Sequence, residues 1–424
     1  MVLNHKISKK RLKLFLYEII CFISLSLAYC LIISDVYNYM GFNFIFKISR
    51  FTLGISIVGI FTLMGIFIKD KIIYAIWNIL LVYNLYGTVI VYQYNEYSFK
   101  PTIATLIMLG SILLVSNIKF NFKPSKYNIE LNQNILRKIL IVSLILLIPF
   151  IIKYIDKINL KNLLLIDIYD TRLDFREINM GILGYLVSPL TRVGAPILMA
   201  YSIKYKKKNT FFLSLFIILY IFLCGAVKSI FIGIFAVIIF YRGDYIDKPI
   251  IFVKLVTIIS IFGILLYYIS GNTFLLDGFI RRVFFIPPYL DNIYYDFFTG
   301  NYTYGLHSPI GAILGKQDSV LHGYSSLSMY IGDGIMKKAG SNANVGVLTE
   351  GYFSFGWIGV IIFSLVIGLI YNILRCTNMN SILFGVIFIY IYYLNTSFIS
   401  TLMLTHGLAL FLIFSIVFLY RKSE

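Results

Sequence analysis

Residues 250–269 read IIFVKLVTIISIFGILLYYI, and the next 78 residues, Ser270–Val347, contain no comparable apolar run. Twenty apolar residues in succession are about what is needed to cross roughly 30 Å of hydrocarbon. Outward from this stretch the pattern recurs, with apolar runs near 14–34, 51–68, 72–91, 101–118, 139–152, 182–203, 210–223, 229–241, 348–371, 381–395 and 404–420. The chain is 59% hydrophobic and 13% charged, more apolar surface than a water-soluble core can hide. The expectation is an all-α polytopic membrane protein with about twelve spans. It would form one integral membrane domain over 1–424, with a long loop between spans nine and ten.

The net charge of +18 first suggests a polyanionic partner, but its distribution argues against nucleic acid. With the N-terminus inside, the basic residues gather in alternate connections. Lys6, Lys9, Lys10, Arg11 and Lys13 precede the first run, Lys69 and Lys71 follow the second, Lys204 and Lys206–Lys208 follow the sixth, and Arg421 and Lys422 follow the last. The intervening segments carry balanced charge. This is the positive-inside pattern, and it places both termini in the cytoplasm and 270–347 outside. Residues 210–241 as a single helix would be about 48 Å long, too long for one crossing. The segment Cys224-Gly225-Ala226-Val227-Lys228-Ser229 therefore reads as a turn or a re-entrant break.

The four cysteines, Cys21, Cys30, Cys224 and Cys376, lie in or beside apolar runs without CxxC spacing, and none lies in the long loop. Neither a disulfide framework nor a metal site is expected. No phosphate-binding glycine loop or nucleophile elbow is present.

Two outer segments are longer than a connection requires. The first, 153–181, carries Asp167, Asp170, Arg172, Asp174, Arg176 and Glu177. The second, 270–347, is rich in aromatics and glycine, which suits short helices packed at the membrane face and forming the cap of an active site. Within it, Arg281 and Arg282 precede an aromatic run. The planar fork of arginine suits a lipid-linked pyrophosphate, and a headgroup-binding or snorkelling pair is the other reading. Arg192 lies in a span broken by Pro189 and Pro196, and intramembrane charge marks function by default. Lys228 is either similar or a residue of an outer turn. His307 and Glu350 are candidates for proton transfer, the first against simple solvation and the second against a structural ion pair. His322 is a weaker case of the same kind. His406 opens the last span, where it could face the same vestibule.

The stretch RRVFFIPP at 281–288, followed by YYDFF at 294–298, resembles the outer loop of oligosaccharide repeat-unit polymerases, the Wzy-type enzymes of O-antigen and capsule assembly. The resemblance continues in Tyr330-Ile331-Gly332, in NANVG at 342–346, in Glu350-Gly351-Tyr352 and in FGWIG at 355–359, and covers about the last 150 residues. It implies a multispan, GT-C-like glycosyltransferase of the bacterial inner membrane that needs neither metal nor cofactor. Its substrates would be undecaprenyl-pyrophosphate-linked oligosaccharides. A chain-length regulator and a flippase are the partners it implies. On this reading Glu350 and His307 are catalytic; Arg192, Arg281, Arg282, Arg172, Arg176 and Lys228 hold pyrophosphate; Tyr294, Tyr295, Tyr324 and His406 contact glycan. An O-antigen ligase shares the donor and the large loop. A lipid-linked oligosaccharide flippase is the rival of another class, against which the length of the loop speaks.

Overall fold

The computed structural model describes residues 8–120, 133–164, 171, 175, 181–225, 230–377 and 379–419. Among the described residues the chain is helical and has no strands. Eight helices are long and apolar enough to cross a membrane: α1 (Lys9–Val36), α2 (Ile48–Ile66), α3 (Lys71–Tyr94), α5 (Gln133–Lys157), α6 (Gly184–Lys204), α7 (Lys208–Gly225), α9 (Asp247–Ser270) and α11 (Val347–Cys376). Four shorter apolar helices, α4 (Lys100–Val115), α8 (Phe231–Phe240), α12 (Ser381–Tyr393) and α13 (Leu408–Phe418), fall on the remaining apolar runs. Helix α10 (Ile286–Phe297) belongs to the long connecting segment.

Two compact units are present. The first comprises Met1–Lys119, Tyr245–Asn372 and Tyr393–Ile399. Its centre is α3. Asp70 caps the first turn, accepting from the backbone N–H groups of Ile72 and Ile73 at 2.9 and 3.0 Å, and the apolar window behind it is wholly buried. Around it α1, α2 and α9 keep one face inward and leave Leu12, Leu31, Ile60, Ile258 and Phe262 exposed on the other. Apolar side chains left outside on helices of spanning length are matched to lipid. Helix α1 packs along α9, with Lys10 2.7 Å from Asp247 and the Ser260 hydroxyl donating to Ser24 O at 3.0 Å. Gly271, at φ +69°, ends α9 in a left-handed cap that L side chains resist.

The segment after α9 lies on this core. Gly87 of α3 touches the backbone of Phe284, where a Cβ would come within 2.0 Å of the carbonyl oxygen. The rings of Phe284 and Phe285 then pack edge-on to Tyr83 and Tyr29. Asn292 ties α10 to the start of α4 by accepting from both the backbone N–H and the hydroxyl of Ser98.

Helix α11 departs from the straight span expected over 348–371. Phe355 and Gly356 leave the helical region, and Gly356 takes φ +63°, ψ −146°, a conformation essentially confined to glycine. The chain reverses there: a Cβ on Gly359 would lie 1.9 Å from Gly351 O, and one on Gly351 2.6 Å from Gly359 O. A straight helix would hold positions eight residues apart about 12 Å from each other. Residues 347–354 thus form a short arm folded back on 357–376, and only the latter, about 30 Å long, has spanning length.

The second unit comprises Phe120–Asp244, Ile373–Tyr392 and Ser400–Glu424. Helices α6 and α7 pack closely, and α8 wedges in through small residues: Gly233 meets Pro196 and the Thr191 carbonyl, and Gly385 of α12 lies on the backbone of Ala236 and Val237. Small residues let backbones approach where no hydrophobic force separates helix from lipid.

Candidate functional site

The folded-back arm of α11 places Glu350 inside the first unit rather than at the mouth of a span. Gly346, pressed on the Leu394 carbonyl, and Val347, whose N–H donates to that same oxygen at 2.9 Å, fix where the arm begins. At its other end Phe353 O and Ser354 O accept from the N–H groups of Thr303 and Tyr304 at 2.8 and 3.0 Å, closing helix-terminal carbonyls that would otherwise be orphaned. That loop carries His307. Its Nε2 lies 3.2 Å from Glu350 Oε1 and its Nδ1 3.2 Å from the Thr303 hydroxyl, while Glu350 Oε2 accepts from the Ile399 N–H. An imidazole with its proton on Nε2 satisfies both contacts. Phe353 and Phe398 set their rings edge-on to the imidazole at 4.7 and 5.3 Å.

The two residues singled out for proton transfer therefore meet. They meet in the interior, however, with both side chains only 2% exposed and their donors and acceptors engaged with each other and with neighbouring backbone and hydroxyl groups. In this arrangement the pair braces the loop, the arm and Ile399 together.

A different carboxylate lines a small cavity. Asp291 on α10 lines a cavity walled by α3, α4, α10 and the arm of α11, with Asn84, Thr88, Thr105, Tyr295, Thr349 and Asn395 as its polar side chains. The cavity has a volume of about 20 Å³, room for one water. Asn84 and Asn395 bond to each other through their amides, and the Thr349 hydroxyl donates to Asp291 Oδ1 at 2.6 Å. Asp291 is half-buried. The protein packed around it pushes its carboxyl from 3.8 up to about 7, against a smaller lowering by Thr349. Because the folded value is raised, its contribution to stability is full below pH 3.8 and is lost as pH climbs through about 7. The thermal midpoint of the wild type relative to Asp291→Asn is thus expected to fall across that window. A difference that stays flat in pH-stepped thermal melts overturns the assignment.

Sequence reasoning missed Asp291. The available signal was its place on a helix, three and four residues after Pro288 and Pro287 and four before Tyr295, which puts a carboxylate on an otherwise apolar, inward face.

The other expected site residues divide. Arg281, expected to hold pyrophosphate, is instead 7% exposed, bonded to Asp277 and stacked 4.2 Å over Tyr37. Arg282, 3.8 Å from Asp277, keeps 55% of its side chain exposed. Tyr294 and Tyr295, expected to contact glycan, are both buried: the Tyr294 hydroxyl donates to Ala343 O at 2.8 Å, and Tyr295 stacks on Tyr352 at 4.0 Å and lines the Asp291 cavity. Tyr324 is half-buried against Tyr330, and His322 is exposed against the same ring. In the second unit Arg192 and His406 come together. With Ser188, Thr405 and Tyr185 they line a cavity of about 280 Å³, and Arg192 donates to the Ser188 hydroxyl. The π-helical turn Pro189–Gly194 presents Arg192 there. Arg172, Arg176 and Lys228 lie outside the described residues. Among the described residues no group of three or more His, Cys, Asp or Glu could hold a metal ion. No family model, no curated protein and no solved structure matches this chain.

Proposed function

We infer that this chain is a polymerase joining undecaprenyl-pyrophosphate-linked oligosaccharide repeat units into O-antigen or capsular polysaccharide at the outer face of the bacterial inner membrane. One observation carries the reading. Three separate blocks that resemble the repeat-unit polymerases, 281–288, 294–298 and 342–346, each contribute to the wall of the Asp291 cavity, through Val283, Pro287, Pro288, Tyr295 and Gly346. A fourth, Glu350–Gly359, makes up the second half of the arm beside it and the reversal that follows. Segments that resemble a family only in scattered pieces are thus parts of one assembly.

The chemistry agrees with this reading. The growing glycan leaves a pyrophosphate, so cations are needed where negative charge develops. Arg282 offers an exposed guanidinium in the long segment, and Arg192, itself buried, lines the cavity of the second unit. On this reading the eight helices of spanning length cross the membrane, the shorter α4, α8, α12 and α13 complete about twelve membrane segments as crossings or re-entrant turns, and both termini lie inside, as the placement of Lys and Arg suggests.

A strain deleted for the gene is expected to display single repeat units and no polymer. Arg282→Ala and Arg192→Ala, expressed in that strain at wild-type levels, are each expected to cut polymer by roughly 10²-fold or more. Full-length polymer in the deletion strain overturns the proposal. Long polymer retained on the carrier lipid points to a ligase, and repeat units trapped inside point to a flippase.

A further inference from the structure

The strongest feature not absorbed by the expected catalytic pair is the Asp291 cavity. Among the described residues Asp291 is the only carboxylic acid that lines the space, and no Lys, Arg or His lines it. The cations of the adjoining elements are engaged elsewhere. Lys100 bonds to the Thr299 hydroxyl at 3.1 Å and sits 3.9 Å from Asp296, and Arg281 and Arg282 turn to Asp277. His307 and Glu350 are closed on each other. Tyr83 and Tyr295 are the other titratable side chains of the wall. Tyr295, one helical turn from Asp291, has a buried hydroxyl without a hydrogen-bond partner. A buried hydroxyl left unpaired costs on the order of 1–3 kcal/mol, which an arriving polar group can recover. The space beside it seats one water-sized group. The rest of the wall is uncharged, with prolines, tyrosines, the paired amides and threonines set among apolar side chains such as Met108, Leu348, Ile367 and Leu394, a surface suited to a neutral hydroxyl rather than to an ion.

We propose that Asp291 is the general base of the transfer, with the cavity receiving one hydroxyl of the acceptor sugar between Asp291 and Tyr295. This rests on the glycosyl-transfer reading given above. The acceptor oxygen forms a bond to the anomeric carbon of the donor as the bond from that carbon to the pyrophosphate oxygen breaks. The electron pair leaves with the carrier pyrophosphate, and the hydroxyl proton passes to the Asp291 carboxylate. Thr349 holds that carboxylate in place by its 2.6 Å hydrogen bond and is a positioning residue. The raised carboxyl suits the task, since a base is most effective with its pKa near the working pH. Glu350 and His307 then support the catalytic element by holding the arm that carries Thr349.

The test uses the purified full-length chain in lipid nanodiscs, with lipid-linked repeat units extracted from the deletion strain as both donor and acceptor. Wild-type kcat is expected to rise with pH through a limb centred near 7. Asp291→Asn is expected to lose roughly 10²–10⁴-fold in kcat, to leave KM within a few-fold and to abolish the limb. Thr349→Val, which removes a bond to the charged carboxylate, is expected to move the limb to higher pH. That second variant keeps the question decidable if Asp291→Asn fails to accumulate. Wild-type extension together with an undiminished rate in Asp291→Asn, or an unmoved limb in Thr349→Val, overturns the role of Asp291 and leaves the polymerase reading standing. Wild type that binds the lipid-linked units and never extends them sinks the polymerase reading itself.

Discussion

Glu350→Ala is expected to lower the unfolding free energy of this chain by about 3–5 kcal/mol, the usual cost of breaking a buried polar pair by removing one partner. The substitution strands His307 Nε2 and the Ile399 N–H in a buried site. His307→Ala should cost less, because Glu350 retains the Ile399 N–H. The two effects share one network, so a double-mutant cycle should return a coupling of about 1–3 kcal/mol. Denaturant-induced unfolding in mixed micelles reads all three variants. Additive losses, or a Glu350→Ala variant as stable as wild type, show that the pair does not brace the fold. If Glu350 acts in chemistry alone, the same variant loses activity with its stability unchanged, so the measurement separates the two roles.

Gly359→Ala should be at least as damaging. Its Cβ has no space: the Gly351 carbonyl oxygen stands 1.9 Å away, on a backbone that is itself pinned by Gly359 O. Overpacking a close backbone approach costs about 1–3 kcal/mol and more when neither side can move. Gly356→Ala adds a different penalty, about 1–3 kcal/mol for a φ of +63° with ψ −146°, together with a clash against the Tyr302 ring at 2.8 Å. Gly368→Ala, on the spanning part of the same helix, meets nothing closer than the Ser111 carbonyl at 3.0 Å and serves as the milder control. Unfolding midpoints in detergent are expected to rank Gly359→Ala and Gly356→Ala well below Gly368→Ala. Equal midpoints for the three mean that the reversal at 355–356 is not tightly held, and the placement of Glu350 beside His307 loses its basis.

Much of the fold was open to reading along the chain. Each apolar run corresponds to a helix because spanning length and composition are local properties, set by the thickness of hydrocarbon and the need to satisfy every backbone group internally. The break within 210–241 shows the limit of that reading. Two helices, α7 and α8, occupy it, and only α7 has spanning length. The reversal in α11 was hidden for another reason. FGWIG falls inside the apolar run 348–371, which reads as one span, and two glycines eight residues apart carry no mark that they touch.

The candidate site was legible in part. Residue type identified His307 and Glu350 as unusual and Arg192 as costly in a span, since polar groups in apolar surroundings stand out in any one-dimensional reading, but it gave no sign that His406 lies beside Arg192. It could not separate Arg281 from Arg282. The two are neighbours in sequence, and helical geometry alone turns the first toward Asp277, Tyr37 and the interior and the second outward.

Composition, period and charge placement thus determined by themselves that this is a helical membrane protein with a long polar segment between apolar helices. Each of those signals is a sum over neighbouring residues. Tertiary structure alone decided which carboxylate lies free and which is bound. Burial and hydrogen bonding depend on residues distant in the chain: Glu350 is closed by His307 and Ile399, and Asp291 is left facing the cavity with only Thr349 upon it.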